Sequence, residues 1–229
     1  MFLLLNDFEV IIMSFTITAS QYMDYIKIVA KRINENGEYI SSLDAITGDG
    51  DHWANINMGF QCLVENDAEI RMMPFDNALK RIGMLMMSKV GGSSGILYGG
   101  AYIAASNTVS GKLEITGEDL CSVMEAMVKD MMSRGKAEPG YKTMIDALYP
   151  AVEAFKSGIS SSLNDCDILE NVKSAAINGA EATKAMQAVK GRASYQTNKG
   201  VGHLDPGAVT MSYQIECLCD YIIANILNK

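Results

Sequence analysis

The sequence predicts an all-α protein. Three observations carry this. Apolar residues recur at helical spacing along most of the chain. Helix-opening signatures precede several of those stripes. No stretch shows the alternating pattern of a half-buried strand.

The stretch "TASQ" at 18–21 has the pattern of a capping box, in which the Thr hydroxyl and the Gln side chain satisfy each other's backbone N–H groups. Tyr22, Ile26, Val29 and Ile33 follow at helical spacing. A helix then ends near Asp44, and residues 54–67 read as the next one. Pro74 and Asp76 open another, with Leu79, Ile82, Leu85 and Met86 on one face. Residues 94–108 are small and apolar, as a tightly packed inner helix requires. "TGED" at 116–119 caps the stripe Leu120, Val123, Met124, Met127 and Met131. Further helices are expected over 142–157 and 168–188. The last begins at "DPGA", where Asp205 suits the N-cap and Pro206 the first helical position; Ile215, Leu218, Ile222 and Ile226 form its stripe. The count is about eight helices and no convincing strand. The stripes themselves are ordinary core packing, so the chemistry belongs to the loops.

Bulk composition narrows the function. A chain of 229 residues with 48% hydrophobic residues can bury a sizeable core. A net charge of −8 argues against nucleic acid or an anionic membrane as the main partner. The five cysteines fit no zinc or disulfide spacing and point to a reduced, cytoplasmic chain. No apolar run is long enough to span a membrane. Residues 1–12 are apolar, lack a basic n-region and are read as an extension outside the fold, leaving 13–229 as a single domain. The segments 135–141 and 189–204 are too short to be domain linkers.

Four loops carry candidate chemistry. "LDAITGDGDHWAN" places Asp44, Asp49 and Asp51 within eight positions. Two carboxylates 5 Å apart repel by roughly 3 kcal/mol at an effective dielectric near 20. The cluster is therefore a solvated acidic turn or a cage of hard oxygen ligands for Mg²⁺ or Ca²⁺, with Gly48 and Gly50 permitting tight, left-handed turns. It does not match the calcium-hand spacing, because position 12 counted from Asp44 is Asn55. "KVGGSSGILYGGA" at 89–101 offers backbone N–H groups to an anion, or simply a tight packing turn. "RGKAEPGYKTM" and "GRASYQTNKGVGHLDPGA" bring basic residues to an acidic chain, among them Arg192, Lys199 and His203. Taken alone, such residues are ordinarily solvated loop charges or, for His203, a structural histidine. Together the loops supply metal ligands, a phosphate cradle and a neutralising arginine.

In this order and at these separations, "GDGDH", "GGSSG", "RGKAEPGYKTM" and "GRASYQTNKGVGHLDPGA" resemble the L subunit of dihydroxyacetone kinase, from about residue 15 to the C-terminus. The resemblance implies a barrel of eight antiparallel helices with a Mg–ADP/ATP site in loops at one end. It implies Asp44, Asp49 and Asp51 as ligands of two Mg²⁺. It assigns nucleotide contacts to His52, Trp53, Ala54, Asn55, Ser93, Ser94, Gly135, Met144, Arg192, Asp205, Pro206 and Gly207, with Arg192 stabilising charge on the transferred phosphoryl. The chain departs from the family pattern at Trp53, where a small residue is usual, at Tyr141 in place of Asp, and at Ile96 in place of Pro. Trp53 is expected either to stack on the nucleotide or to crowd the site.

In the family a separate K subunit holds the ketose through a histidine, and a phosphocarrier M subunit of the phosphoenolpyruvate phosphotransferase system recharges the bound ADP. Neither His52 nor His203 matches the substrate histidine. The resemblance also leaves open a homodimer, a free-ATP kinase of dihydroxyacetone or erythrulose, and a nucleotide-sensing regulatory module.

Overall fold

The computed structural model describes residues 13–228; the predicted extension 1–12 lies outside the described residues. The described chain is predominantly helical. Its helices are α1 (Ala19–Glu35), α2 (Gly37–Thr47), α3 (His52–Glu65), α4 (Asp67–Ile70), α5 (Phe75–Lys89), α6 (Gly92–Ser106), α7 (Gly117–Gly135), α8 (Ile145–Ser160), α9 (Asp165–Ala182) and α10 (Pro206–Ile222). Ten helices replace the predicted eight. The stretch before Asp44 divides at Asn36–Gly37, where Trp53 packs so close that a Cβ on Gly37 would come 2.7 Å from its ring. The short α4 splits off after α3.

The expectation of no strand is corrected as well. β1 (Thr16–Thr18) pairs antiparallel with β2 (Glu114–Thr116), Ile17 opposite Ile115. Three residues per strand are too few for a period-two pattern to show. Each strand leads directly into a capping box: Thr18 with Gln21 on α1, and Thr116 with Asp119 on α7. The tiny sheet thus sets two helix starts side by side. Met13 adds to this end, its backbone N–H donating to Glu118 Oε1 at 2.6 Å.

Neighbouring helices pack in sequence. α1 packs on α3, α3 on α5, α5 on α6, and so on to α9 on α10, which returns to α1. The small residues of α6 allow its closest crossing: a Cβ on Gly83 of α5 would lie 2.7 Å from Gly99 O, and one on Gly99 would lie 2.7 Å from Gly83 O. The buried apolar side chains form one cluster, in which Tyr22 meets Tyr25 and Phe75 edge-on at 5.1 and 5.5 Å. α10 is buried on almost every side, and its polar Thr210, Ser212 and Gln214 bond back to carbonyls three or four residues earlier. No described helix is long and apolar enough to cross a membrane. All five cysteines are free thiols.

Candidate active site

One cleft of about 580 Å³ opens among the loops, and the starts of α3, α6, α8 and α10 converge on it. Each helix start presents N–H groups with no intrahelical partner and the positive end of a helix dipole. The starts of α3 and α6 carry no side-chain cap from their own N-cap residues, Asp51 and Gly91. The α6 start is therefore free to meet an anion. Ser93 and Ser94 lie in the first turn of α6, inside the helix rather than ahead of it.

Against these positive ends stand the three aspartates. Carboxylate oxygens of Asp44, Asp49 and Asp51 all lie within 4.8 Å of one another. Asp44 is buried, at 8% exposure, while Asp49 and Asp51 are open to solvent. The loop that gathers them turns at Gly50, whose φ of +80° is left-handed. Gly48 works differently from the left-handed turn expected of it: its φ is −138°, and it is small because the Asp44 carboxylate folds directly against its Cα. Asp44 Oδ2 in turn accepts the backbone N–H of His52 at 3.0 Å, which caps α3 from outside.

A cluster of three carboxylates and the uncapped start of α6 have opposite needs. The first calls for cations and the second for anions. A divalent metal carrying phosphate satisfies both, and the all-oxygen donor set suits Mg²⁺. The structure holds one neutralising contact already: Arg192 Nη2 lies 2.6 Å from Asp49 Oδ2. Arg192 sits on a short 3-10 turn, Arg192–Tyr195, which is tied to the end of α2 by Gln196 Nε2 donating to Ile46 O at 2.6 Å.

The remaining wall of the cleft is apolar. Ile96, Leu97, Met131, Ala137, Met144 and Ile145 line it. Such a surface suits a flat, hydrophobic ring. Gly135 borders it, where a Cβ would be 3.5 Å from Leu97 Cδ2. On the polar side, Asp205 caps α10 through Ala208 N at 2.7 Å. Part of Asp205 opens to the cleft, yet it lies deep among protein atoms, and burial pushes its carboxyl up to about 7 against the opposing pull of the Ala208 N–H and Lys142.

Most sequence-predicted residues meet at this cleft: the three aspartates, His52, Asn55, Ser93, Ser94, Gly135, Met144, Arg192, Asp205, Pro206 and Gly207. Two of the named residues do not line it. Trp53 faces a groove beside Gly37, and its Nε1 donates to Ile33 O at 3.2 Å, so it neither stacks in the cleft nor crowds it. Ala54 follows it out of the lining. His52 contributes its position more than its ring: Nε2 lies 2.9 Å from Thr210 Oγ1, joining α3 to α10. Burial lowers the His52 pKa, against the pull of Asp44 and Asp51. Sequence reasoning missed Leu97, Met131, Ile145 and Lys142 as cleft residues. Met131 was legible only as a core stripe; Lys142 stood inside a quoted motif with no role.

The family model described as the DAK2 domain matches residues 46–220. The chain is 35% identical over 203 residues to the "PEP-dependent dihydroxyacetone kinase, ADP-binding subunit DhaL" of Escherichia coli, covering 89% of this chain and 97% of that one. It is 40% identical over 178 residues to "PEP-dependent dihydroxyacetone kinase 1, ADP-binding subunit DhaL" of Listeria innocua, covering 78% and 84%. A crystal structure of the dihydroxyacetone kinase from C. freundii in complex with AMP-PNP and Mg²⁺ shares the fold, with a TM-score of 0.68 at 23% identity. That match covers 92% of this chain, which spans about a third (35%) of the solved one. The chain belongs to the DAK2-domain family, among the ADP-binding L subunits of dihydroxyacetone kinases.

Proposed function

We propose that this chain is the nucleotide-carrying subunit of a dihydroxyacetone kinase. It holds ADP or ATP in the cleft, with phosphates toward the starts of α3 and α6 and the base against Leu97, Met131 and Met144. The observation that carries this reading is the meeting of the uncapped α6 start with three clustered carboxylates. Asp44, Asp49 and Asp51 would hold Mg²⁺, two ions by family resemblance, and bound metal would supply charge neutralisation at the phosphate oxygens. Arg192 would neutralise charge on the transferred group, a role supported by its contact with the acidic loop.

The phosphoryl acceptor is dihydroxyacetone held on a separate K subunit. A phosphocarrier M subunit of the phosphoenolpyruvate phosphotransferase system recharges ADP in place, in the cytoplasm. The relatives named as PEP-dependent support this donor. The shortage of histidines supports a separate substrate subunit: the chain has two, and His52 is committed to Thr210. We further read residues 13–229 as one domain and the eight longer helices as a closed antiparallel barrel, a reading supported by the return of α10 to α1.

The test is reconstitution. The purified chain with ATP, Mg²⁺ and dihydroxyacetone should show no turnover, and adding the K and M subunits with a phosphoenolpyruvate supply should start it. Turnover by the chain alone would end the split-subunit reading. Turnover with the K subunit and free ATP, unaffected by the phosphocarrier, would replace the donor with free ATP. Nucleotide binding with no turnover in any mixture would leave a sensing module.

A further inference from the structure

Lys142 is a lysine only 2% exposed, with a left-handed φ of +61°. Its ammonium donates to two backbone carbonyls, Thr183 O and His203 O. Both belong to the segment between α9 and α10. The negative groups facing it are Asp205 and Asp146. The Asp146 carboxylate is already engaged, accepting from Gly140 N at 2.5 Å and Thr143 N at 2.7 Å. Thr183 Oγ1 accepts the backbone N–H of Asp205 at 3.0 Å. The lysine stem passes Gly200, where a Cβ would come 3.0 Å from Lys142 Cε. Lys142 also lines the cleft.

Three stretches of chain far apart in sequence therefore meet at one ammonium. The first, 136–144, leads to Met144 and the apolar wall. The second, around Thr183, precedes the Arg192 turn. The third, around His203, delivers Asp205 and the start of α10. None of these connections contains a regular element long enough to hold its own shape. We propose that Lys142 is a positioning residue for nucleotide binding: it ties the loop bearing Arg192 and Asp205 to the loop bearing Met144, and so fixes the spacing of the two cleft walls. The proposal rests on the nucleotide reading above.

A buried ammonium kept only for folding leaves its acceptors unpaired when it is removed, so stability and every binding function fall together. That separates the two roles. Lys142→Met keeps the stem and removes all donors. Lys142→Gln keeps two N–H donors without the charge. Mg–ADP affinity is measured by calorimetry, Mn²⁺ binding to the nucleotide-free protein by electron paramagnetic resonance, and melting temperature alongside. Lys142→Met should weaken Mg–ADP at least about tenfold, and Lys142→Gln distinctly less, while Mn²⁺ binding stays within about twofold. Should Lys142→Met fail to fold, Lys142→Gln carries the test with the same readouts. Unchanged Mg–ADP affinity would overturn the proposal. Parallel losses of Mg–ADP, Mn²⁺ and melting temperature would overturn it in favour of a general structural role. Equal losses in both variants would assign the effect to the charge rather than to the tie. If the unsubstituted protein itself fails to bind Mg–ADP, the nucleotide reading falls first.

Discussion

Arg192 Nη2 lies 2.6 Å from Asp49 Oδ2 across the mouth of the cleft, joining the last loop of the chain to the acidic loop more than a hundred residues earlier. The pair is well exposed on the arginine side, at 67%. Pairs of this kind add little to folding stability. Arg192→Gln should therefore leave the melting temperature within about 2 °C. Phosphoryl transfer in the reconstituted kinase should fall by about 10³-fold or more, the range found when an arginine leaves a transferred phosphoryl. Loss of activity that merely follows unfolding would reject this role.

Asp44 and Asp49 should behave differently when removed. Asp49 makes no cap, so Asp49→Ala should abolish tight Mg–ADP binding and leave stability unchanged or raised, since it relieves repulsion within the cluster. Asp44 also accepts the His52 N–H at the start of α3. Asp44→Ala should lose about 1 kcal/mol in addition, a drop of about 2–4 °C for a chain of this size. Calorimetric titration and thermal melts of the two variants side by side check both parts.

Gly48→Ala tests the geometry without touching a ligand. At φ −138° and ψ −139° the backbone at 48 lies outside the regions an alanine prefers, and the added methyl would also strike the Asp44 carboxylate. The expected result is weakened Mn²⁺ binding, by about tenfold, with a melting temperature lowered by about 2–4 °C for about 1 kcal/mol of backbone strain. Wild-type affinity in this variant would show that Asp44 is not held where the cage needs it.

The capping box on α7 carries a pH signature. Burial tends to raise the Asp119 pKa, but Lys112 Nζ, 2.6 Å from both carboxylate oxygens, and the Thr116 N–H outweigh it and leave the pKa lowered. The folded state thus binds this proton less tightly than the unfolded state does. Its stabilisation is present above the ordinary carboxylate pKa and is lost as pH falls below it toward the lowered folded value. Asp119→Asn should be less stable than wild type at pH 6 in urea melts, with the gap narrowing below pH 4. A gap that widens in acid would reverse the sign.

Those capping boxes at Thr18 and Thr116 were readable from four residues each, because a cap is a local arrangement. So were the α10 start at Asp205–Pro206 and the small-residue face of α6. The break at Gly37 was not, since it depends on Trp53 packing from α3. The sheet of Ile17 and Ile115 was hidden for a similar reason: its two halves are short and lie about a hundred residues apart. The site divides the same way. The aspartates stand together in sequence, and their chemistry follows from proximity alone. Lys142 joins carbonyls at 183 and 203, and Leu97 and Met131 form one wall only after α6 and α7 pack. Trp53, adjacent to the acidic motif, illustrates the reverse: sequence neighbours of a site can point away from it.

A nucleotide held by metal between the aspartates and the helix starts should exchange slowly, as a bound cofactor does. The most direct test is to gel-filter the protein in Mg²⁺, denature it and quantify the released nucleotide, with a parallel sample treated with chelator beforehand. Stoichiometric ADP is expected in the first sample and its loss in the second. Substoichiometric nucleotide exchanging rapidly with free ATP, or ADP retained undiminished after the metal is stripped, would contradict it.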